Sequence, residues 1–314
     1  MWKRTSSDIP SLCPEQHVAL VTGASQGLGR AFAEQCARCG IDLLLVALPD
    51  SGLPRVARGL ELLYGVRSEY LEMDLTAPGN PEALFQWIAR EGVDVSILIN
   101  NAGVGYNSRF EESTLGENES CILLNNLALV KITRLLLPQL KRHPRAFVLN
   151  VSSLAAFFPM PFMPVYGPSK TFILNFSLAL RSEMKGTPVS VSVLCPNGIR
   201  TNGECRRKIE SHGLIGRLVS MEPDRVAACA LEGLFAKRAV IVPGFLNQCP
   251  AALGRHVPRR VVCSVVSSFY SKTARGGDAN RSHPAPHRRQ CGQSVAYGGS
   301  YEPIYRRLGA LSDL

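Results

Sequence analysis

At 314 residues the chain is long enough to bury one generous core, and its 46% hydrophobic and 19% charged composition is that of an ordinary globular protein. The formal charge of +10 points toward nucleic acid or an anionic surface until it is located. From Arg255 onward there are ten Arg or Lys against three Asp or Glu, with 25 against 22 before it, so the basic character belongs to the tail and no nucleic-acid partner is expected. No run of 18 apolar residues occurs, so no spanning helix is expected. Residues 1–16 carry Lys3 and Arg4 but no apolar stretch behind them, which does not make a secretory signal. A cytoplasmic location is the expectation. Ten cysteines in a chain of this length form no disulfide framework. Cys36 and Cys39 make a lone C-x-x-C inside a helical pattern, best read as free thiols.

In chain order, short apolar runs alternate with helical patterns. Strands are predicted at Val18–Thr22, Asp42–Leu48, Glu69–Met73, Val95–Asn100, Ala146–Val151, Val189–Leu194 and Ala239–Val242. Helices are predicted over Gly29–Cys39, Leu123–Leu140 and Val165–Met184. This alternation predicts an α/β fold with a doubly wound, mostly parallel seven-stranded sheet and helices on both faces. The expected organisation is an extension over 1–16, one dinucleotide-binding and catalytic domain over 17–254, and a basic C-terminal segment over 255–314. The part from Arg255 to Tyr270 has the pattern of an amphipathic helix, able to dock on the body or to touch a membrane weakly. Beyond Ser271, Gly, Ser, Pro, His and Arg dominate, and disorder is expected.

The first strand runs into Thr22-Gly23-Ala24-Ser25-Gln26-Gly27-Leu28-Gly29 and opens a helix. Such a turn presents unpaired N–H groups and the positive end of a helix dipole to an anion. Glycines at 23, 27 and 29 suit a tight turn, close approach to a pyrophosphate and close helix-on-strand packing. Later, Tyr166-Gly167-Pro168-Ser169-Lys170 places a phenol and an ammonium one turn apart on a helix. A nearby cation favours phenolate and brings a group of pKa near 10 toward working range. Ser153 lies at the end of the fifth strand, 13 residues before Tyr166.

Together these segments resemble the short-chain dehydrogenase/reductase family over about residues 16 to 245, with the loop spacing G-x-x-x-G-x-G followed by Ser, Tyr and Lys in the family order. The resemblance implies a Rossmann-like fold and hydride transfer between a nicotinamide cofactor and a carbonyl or secondary alcohol. It assigns proton transfer to Tyr166, oxyanion stabilisation to Ser153, and phenol tuning with ribose anchoring to Lys170. The family's interval to a closing proline, here Pro138, selects Asn125 over Asn126 to hold a water behind Lys170. Asn100-Asn101-Ala102-Gly103 resembles N-N-A-G, which puts Asn101 near the adenosine ribose. Asp74 matches an acidic contact to adenine. Pro196-Asn197-Gly198-Ile199-Arg200-Thr201 resembles P-G-x-V-x-T, with Thr201 on the nicotinamide carboxamide. Asn197 stands where glycine is usual, and its tolerance of left-handed backbone is expected to preserve the loop. The implied cofactor-binding set is Gly23, Ser25, Gln26, Gly27, Leu28, Gly29, Asp74, Asn101, Tyr166, Lys170 and Thr201, with no metal.

Cofactor choice is less plainly written. Val46-Ala47-Leu48-Pro49-Asp50 ends the second strand, and Asp50 comes late for a ribose hydroxyl, whereas Arg30 or Arg55 suits a 2′-phosphate. NADP(H) is favoured over NAD(H). The apolar run Leu154–Val165 suits a pocket for a lipophilic ketone, an acyl chain or a steroid, or equally a core or subunit interface. Cys205 to Ser220 is placed like a substrate lid, and a homodimer or homotetramer is expected. Two rivals remain: a sugar-nucleotide epimerase or dehydratase on the same fold, and a catalytically inactive dinucleotide-binding sensor or scaffold protein.

Overall fold

The computed structural model describes residues 17–199, 220–245, 247–248, 260 and 263–264. The N-terminal extension, the lid segment and nearly all of the basic C-terminal segment lie outside the described residues, as do the expectations that fall on them. Seven parallel strands form one sheet in the order β3-β2-β1-β4-β5-β6-β7. They are β1 Val18–Thr22, β2 Asp42–Ala47, β3 Ser68–Glu72, β4 Val95–Asn100, β5 Ala146–Val151, β6 Val189–Leu194 and β7 Val240–Ile241.

A parallel sheet covered on both sides needs strands that are apolar on both faces. Successive residues of β1 illustrate this: Ala19 and Val21 join one core, and Leu20 joins the other. The first core receives Phe32 and Ala33 from α1 (Gly27–Arg38), Leu60 from α2 (Leu53–Tyr64) and Leu231 and Leu234 from α7 (Pro223–Phe235). The second receives Leu84 and Ile88 from α3 (Asn80–Arg90), Ile132 and Leu136 from α5 (Leu129–Leu140) and Leu180 from α6 (Tyr166–Glu183). The sheet is thus doubly wound.

The helix before β5 begins earlier than its apolar pattern. It starts with α4 (Leu115–Ile122), passes through a π-helical stretch at Leu123–Ala128 and continues as α5. Thr114 caps it, accepting from the Glu117 amide at 3.2 Å while the Glu117 carboxylate accepts from the Thr114 amide at 2.8 Å. Polar residues in its first two turns hide the periodicity, so the expected start at Leu123 was eight residues late.

The expectation about spanning length also needs amending. Leu115–Leu140 is 26 residues with a mean hydropathy of 1.5 over its most apolar 18-residue window, enough by length and composition to cross a membrane. Its buried stripe of Cys121, Asn125, Ala128, Ile132, Leu136 and Leu140 packs into the protein, as a core helix does.

Strand order reverses between β1 and β4. In such sheets the crevice at the carboxyl ends of the two diverging strands is the ligand position. The glycine loop leaves β1 there, Asn101 leaves β4 beside it, and β5 delivers Ser153 and then α6 to the same edge.

Candidate active site

The glycine loop is built on contacts that tolerate no side chain. Gly23 has φ of +69°, and its amide donates to the Val46 carbonyl at 2.7 Å. A Cβ on Gly29 would stand 2.0 Å from the Gly23 carbonyl oxygen and 2.6 Å from Nδ2 of Asn101. Helix α1 can therefore press its first turn against the loop only as glycine. Thr22 is buried, and its Oγ1 accepts from the Asn101 and Ala102 amides, each at 3.0 Å. Nδ2 of Asn101 donates to the Thr22 carbonyl at 2.9 Å. The two loops at the switch point are thereby stitched together.

Gln26 occupies the N-cap of α1 in extended conformation and makes no side-chain cap. The first-turn amides, on a helix with no acidic residue there, are left for an anion. Ser25 and Gly27 are half-buried, Gln26 is exposed and Leu28 is buried into the core. This backbone cradle fits a dinucleotide pyrophosphate.

Asp74 lies exposed just past β3, where its Oδ1 accepts from the Thr76 amide at 2.9 Å and from the Thr76 hydroxyl at 2.7 Å. Thr201 lies outside the described residues. In the loop before it, Asn197 does not take the left-handed backbone expected of a glycine replacement. Positive φ among described non-glycine residues is confined to Asp50, Phe162 and Lys237. Asn197 instead holds the turn with its side chain, accepting from the Gly198 amide at 2.9 Å and donating to Oδ1 of Asn247 at 3.0 Å.

Helix α6 begins at Tyr166, so its first two turns carry both Tyr166 and Lys170 at the positive end of its dipole. Pro168 sits in the first turn, where a missing amide is tolerated. Lys170 is 5% exposed. Its Nζ donates to the Val151 carbonyl at 3.1 Å and lies 5.6 Å from the Tyr166 ring centroid. Burial lowers its ammonium to about 8, with the nearby thiols of Cys121 and Cys195 pulling the other way. Those two thiols are themselves pushed up by burial, Cys195 to about 12.

Ser152 and Ser153 part company at the end of β5. The buried Ser152 hydroxyl donates to the Lys170 carbonyl at 2.7 Å and so holds α6. Ser153 is half-buried, and its Oγ accepts from the Ala155 amide at 3.1 Å, which leaves the hydroxyl hydrogen available to donate.

Asn125 is fully buried within the π-helical stretch, a distortion common at functional sites. Its Oδ1 accepts from the Val104 amide at 2.9 Å, and its Nδ2 donates to the Val104 carbonyl at 2.9 Å and to Oγ of Ser169 at 3.0 Å. Asn126 donates to the Ser169 carbonyl at 2.9 Å, so both asparagines grip the head of α6. Ser169 and Cys121, not singled out from the sequence, complete this cluster: Oγ of Ser169 donates to the Tyr166 carbonyl at 2.7 Å, and Asn125 reaches Cys121 Sγ at 3.3 Å. The i, i+4 spacing of Cys121 and Asn125 was the available signal.

Gly103 and Gly105 border the crevice and are exposed. A Cβ on Gly103 would come 2.9 Å from Asn125 Oδ1 and 3.3 Å from Lys170 Nζ, so the loop passes directly over the lysine. The site therefore joins an anion cradle at one end to a buried ammonium beside a phenol at the other.

The sequence and the fold both have counterparts among known proteins. The very-long-chain 3-oxoacyl-CoA reductase of Phaeosphaeria nodorum is 34% identical over 193 residues, covering 60% of this chain and 55% of that protein. The 17-beta-hydroxysteroid dehydrogenase type 3 of Mus musculus is 32% identical over 188 residues, covering 58% and 60% respectively. The chain thus spans a little over half the length of the curated relatives it matches. A short-chain dehydrogenase from Sphingobium yanoikuyae, solved in complex with NADPH, superposes with a TM-score of 0.65 at 29% identity, covering 86% of this chain and 98% of that one. The family model for short chain dehydrogenase matches residues 17–210, more than half of the sequence, and the chain belongs to that family.

Proposed function

We propose that the chain is a nicotinamide-dependent reductase of lipophilic ketones, of the 3-oxoacyl or steroid kind, preferring NADP(H) to NAD(H). The observation that carries the reading is the buried Lys170 ammonium beside the Tyr166 ring at the mouth of the sheet's switch-point crevice. Relatives named for 3-oxoacyl-CoA and hydroxysteroid substrates support the substrate class, and the NADPH complex of a structural neighbour supports the cofactor class. Exposed Arg30 and Arg55, against an Asp50 three residues beyond the end of β2, favour a 2′-phosphate.

In this reading Gly23, Ser25, Gln26, Gly27, Leu28 and Gly29 would hold the pyrophosphate, Asn101 and Asp74 would bind the adenosine, and Thr201 would bind the carboxamide. Bound there, the nicotinamide supplies or accepts the hydride. Ser153 donates its hydroxyl hydrogen to the substrate carbonyl oxygen and stabilises charge building on it. Tyr166 delivers its phenolic proton to the same oxygen. Lys170 and the head of the α6 dipole stabilise the phenolate left behind. Asn125 positions this pair by tying the loop over Lys170 to Ser169. Reversed, the same groups take the proton from a secondary alcohol. We carry a cytoplasmic location and a homo-oligomer as part of the same proposal, with fractionation and sedimentation as their tests.

The test is turnover of NADPH with a panel of 3-oxoacyl thioesters and keto-steroids, in the wild type and in Ser153→Ala. The reading expects reduction by the wild type and a loss of at least about 100-fold in the variant. A folded wild type that binds NADPH but reduces nothing on the panel would instead mark a dinucleotide sensor.

A further inference from the structure

The β4–α4 loop crosses the tyrosine at very close range. A Cβ on Gly105 would lie 2.5 Å from Cδ2 of Tyr166, so no side chain fits between that backbone and the ring. A few residues on, the same loop is fastened to the segment leading into α6. The Ser108 amide donates to the Phe162 carbonyl at 2.9 Å, and the Arg109 guanidinium lies over the Phe162 ring, 5.9 Å from its centroid.

Phe162 has φ of +66°. For a bulky side chain this region is sterically disfavoured, and such strain persists only where the surroundings over-determine it, often at functional sites. Glycine would take this backbone conformation freely, so the bend does not itself call for a phenyl ring. What the fastening fixes is the ring's position. Tyr106, Ser108, Phe162, Pro164, Val165 and Tyr166 border one narrow recess of about 10 Å³.

We propose that Phe162 is a specificity-determining residue for the carbonyl substrate. Clamped by Ser108 and Arg109, its ring walls the recess beside Tyr166 and limits bulk on that side of the carbonyl. It admits a slim unbranched acyl arm in preference to a fused-ring one. This inference rests on the ketone-reductase reading above and selects within it.

The experiment compares kcat/KM for an unbranched 3-oxoacyl thioester and for a keto-steroid in the wild type, Phe162→Ala, Phe162→Gly and Arg109→Met. The two Phe162 variants are expected to shift the ratio toward the steroid by roughly tenfold or more. Arg109→Met, which loosens the ring without removing it, shifts the ratio less in the same direction. Phe162→Gly should melt above Phe162→Ala because it relieves the left-handed strain while removing the same ring. Ratios within about twofold of wild type in folded Phe162→Gly and Arg109→Met would overturn the proposal. A wild type that reduces neither compound fails the reductase reading itself, and this inference with it.

Discussion

The glycine loop after β1 and the head of α6 lie on the same edge of the sheet but are built in opposite ways. The loop is made of backbone, and its shape depends on atoms that are missing: one added carbon at Gly29 would collide with the Gly23 carbonyl. The α6 site is made of side chains, and its shape depends on backbone that pins them. Val151 takes the Lys170 ammonium, Val104 takes Asn125, and Ser152 grips the helix through the Lys170 carbonyl. The first site should therefore fail when something is added, and the second when something is removed.

The largest effect expected from removal is at Tyr166. Tyr166→Phe should cut turnover by roughly 10³-fold or more while cofactor affinity stays within a few fold, as stopped-flow and fluorescence titration would measure. Equal loss of both would erase the distinction between the two sites.

Lys170→Met comes next, with two signs to check. Turnover should fall about 100-fold or more, while stability at neutral pH should rise. Burial lowers the Lys170 ammonium from 10.5 to about 8, so between those values the unfolded chain holds a proton that the folded chain has lost. Folded stability thus increases with pH across that window, and below it the buried charge costs roughly 3 kcal/mol. The stability gain of Lys170→Met should accordingly be full below pH 8 and fade as pH approaches 10.5. Denaturant melts at several pH values would show it, and a gain independent of pH would remove the charge from the explanation.

For addition, Gly29→Ala is expected to weaken cofactor binding more than tenfold and to cost about 2 kcal/mol or more of stability. The smallest effect belongs to its control, Gly59→Ala in α2, where a Cβ meets nothing within 4 Å. That substitution should leave binding unchanged and stabilise the protein by about 0.5 to 1 kcal/mol through helix propensity. Similar melting temperatures for the two alanine variants would contradict the steric account of the loop.

The two regions also differ in how far the sequence announces them. Strands buried on both faces are continuous apolar runs, and all seven were legible to within a residue at each end, the last pairing with β6 over just Val240 and Ile241. The spacing of Gly23, Gly27 and Gly29 marks the loop, and Tyr166 with Lys170 marks the head of α6, because both patterns are local. What tunes the second pair is not local. Cys121, Val151 and Cys195 come from three separate stretches of the chain and meet Lys170 only in the folded chain. The same is true of the Arg109 and Phe162 contact, between segments more than fifty residues apart. Helices α2, α3 and α7 were never individually placed, although Pro54, Pro81 and Pro223 stand in their first turns, where proline marks a start. The left-handed geometry anticipated for Asn197 was replaced by a side-chain bond to Asn247, fifty residues away, which no local rule foresees.

The most direct test of the account is a titration of purified wild type and Gly29→Ala with NADPH and with NADH, following nicotinamide fluorescence. The wild type should bind saturably, more tightly for NADPH, and the variant should lose that binding. A folded wild type that binds neither nucleotide would contradict the claim that the glycine loop and the head of α6 form one dinucleotide-dependent reductase site.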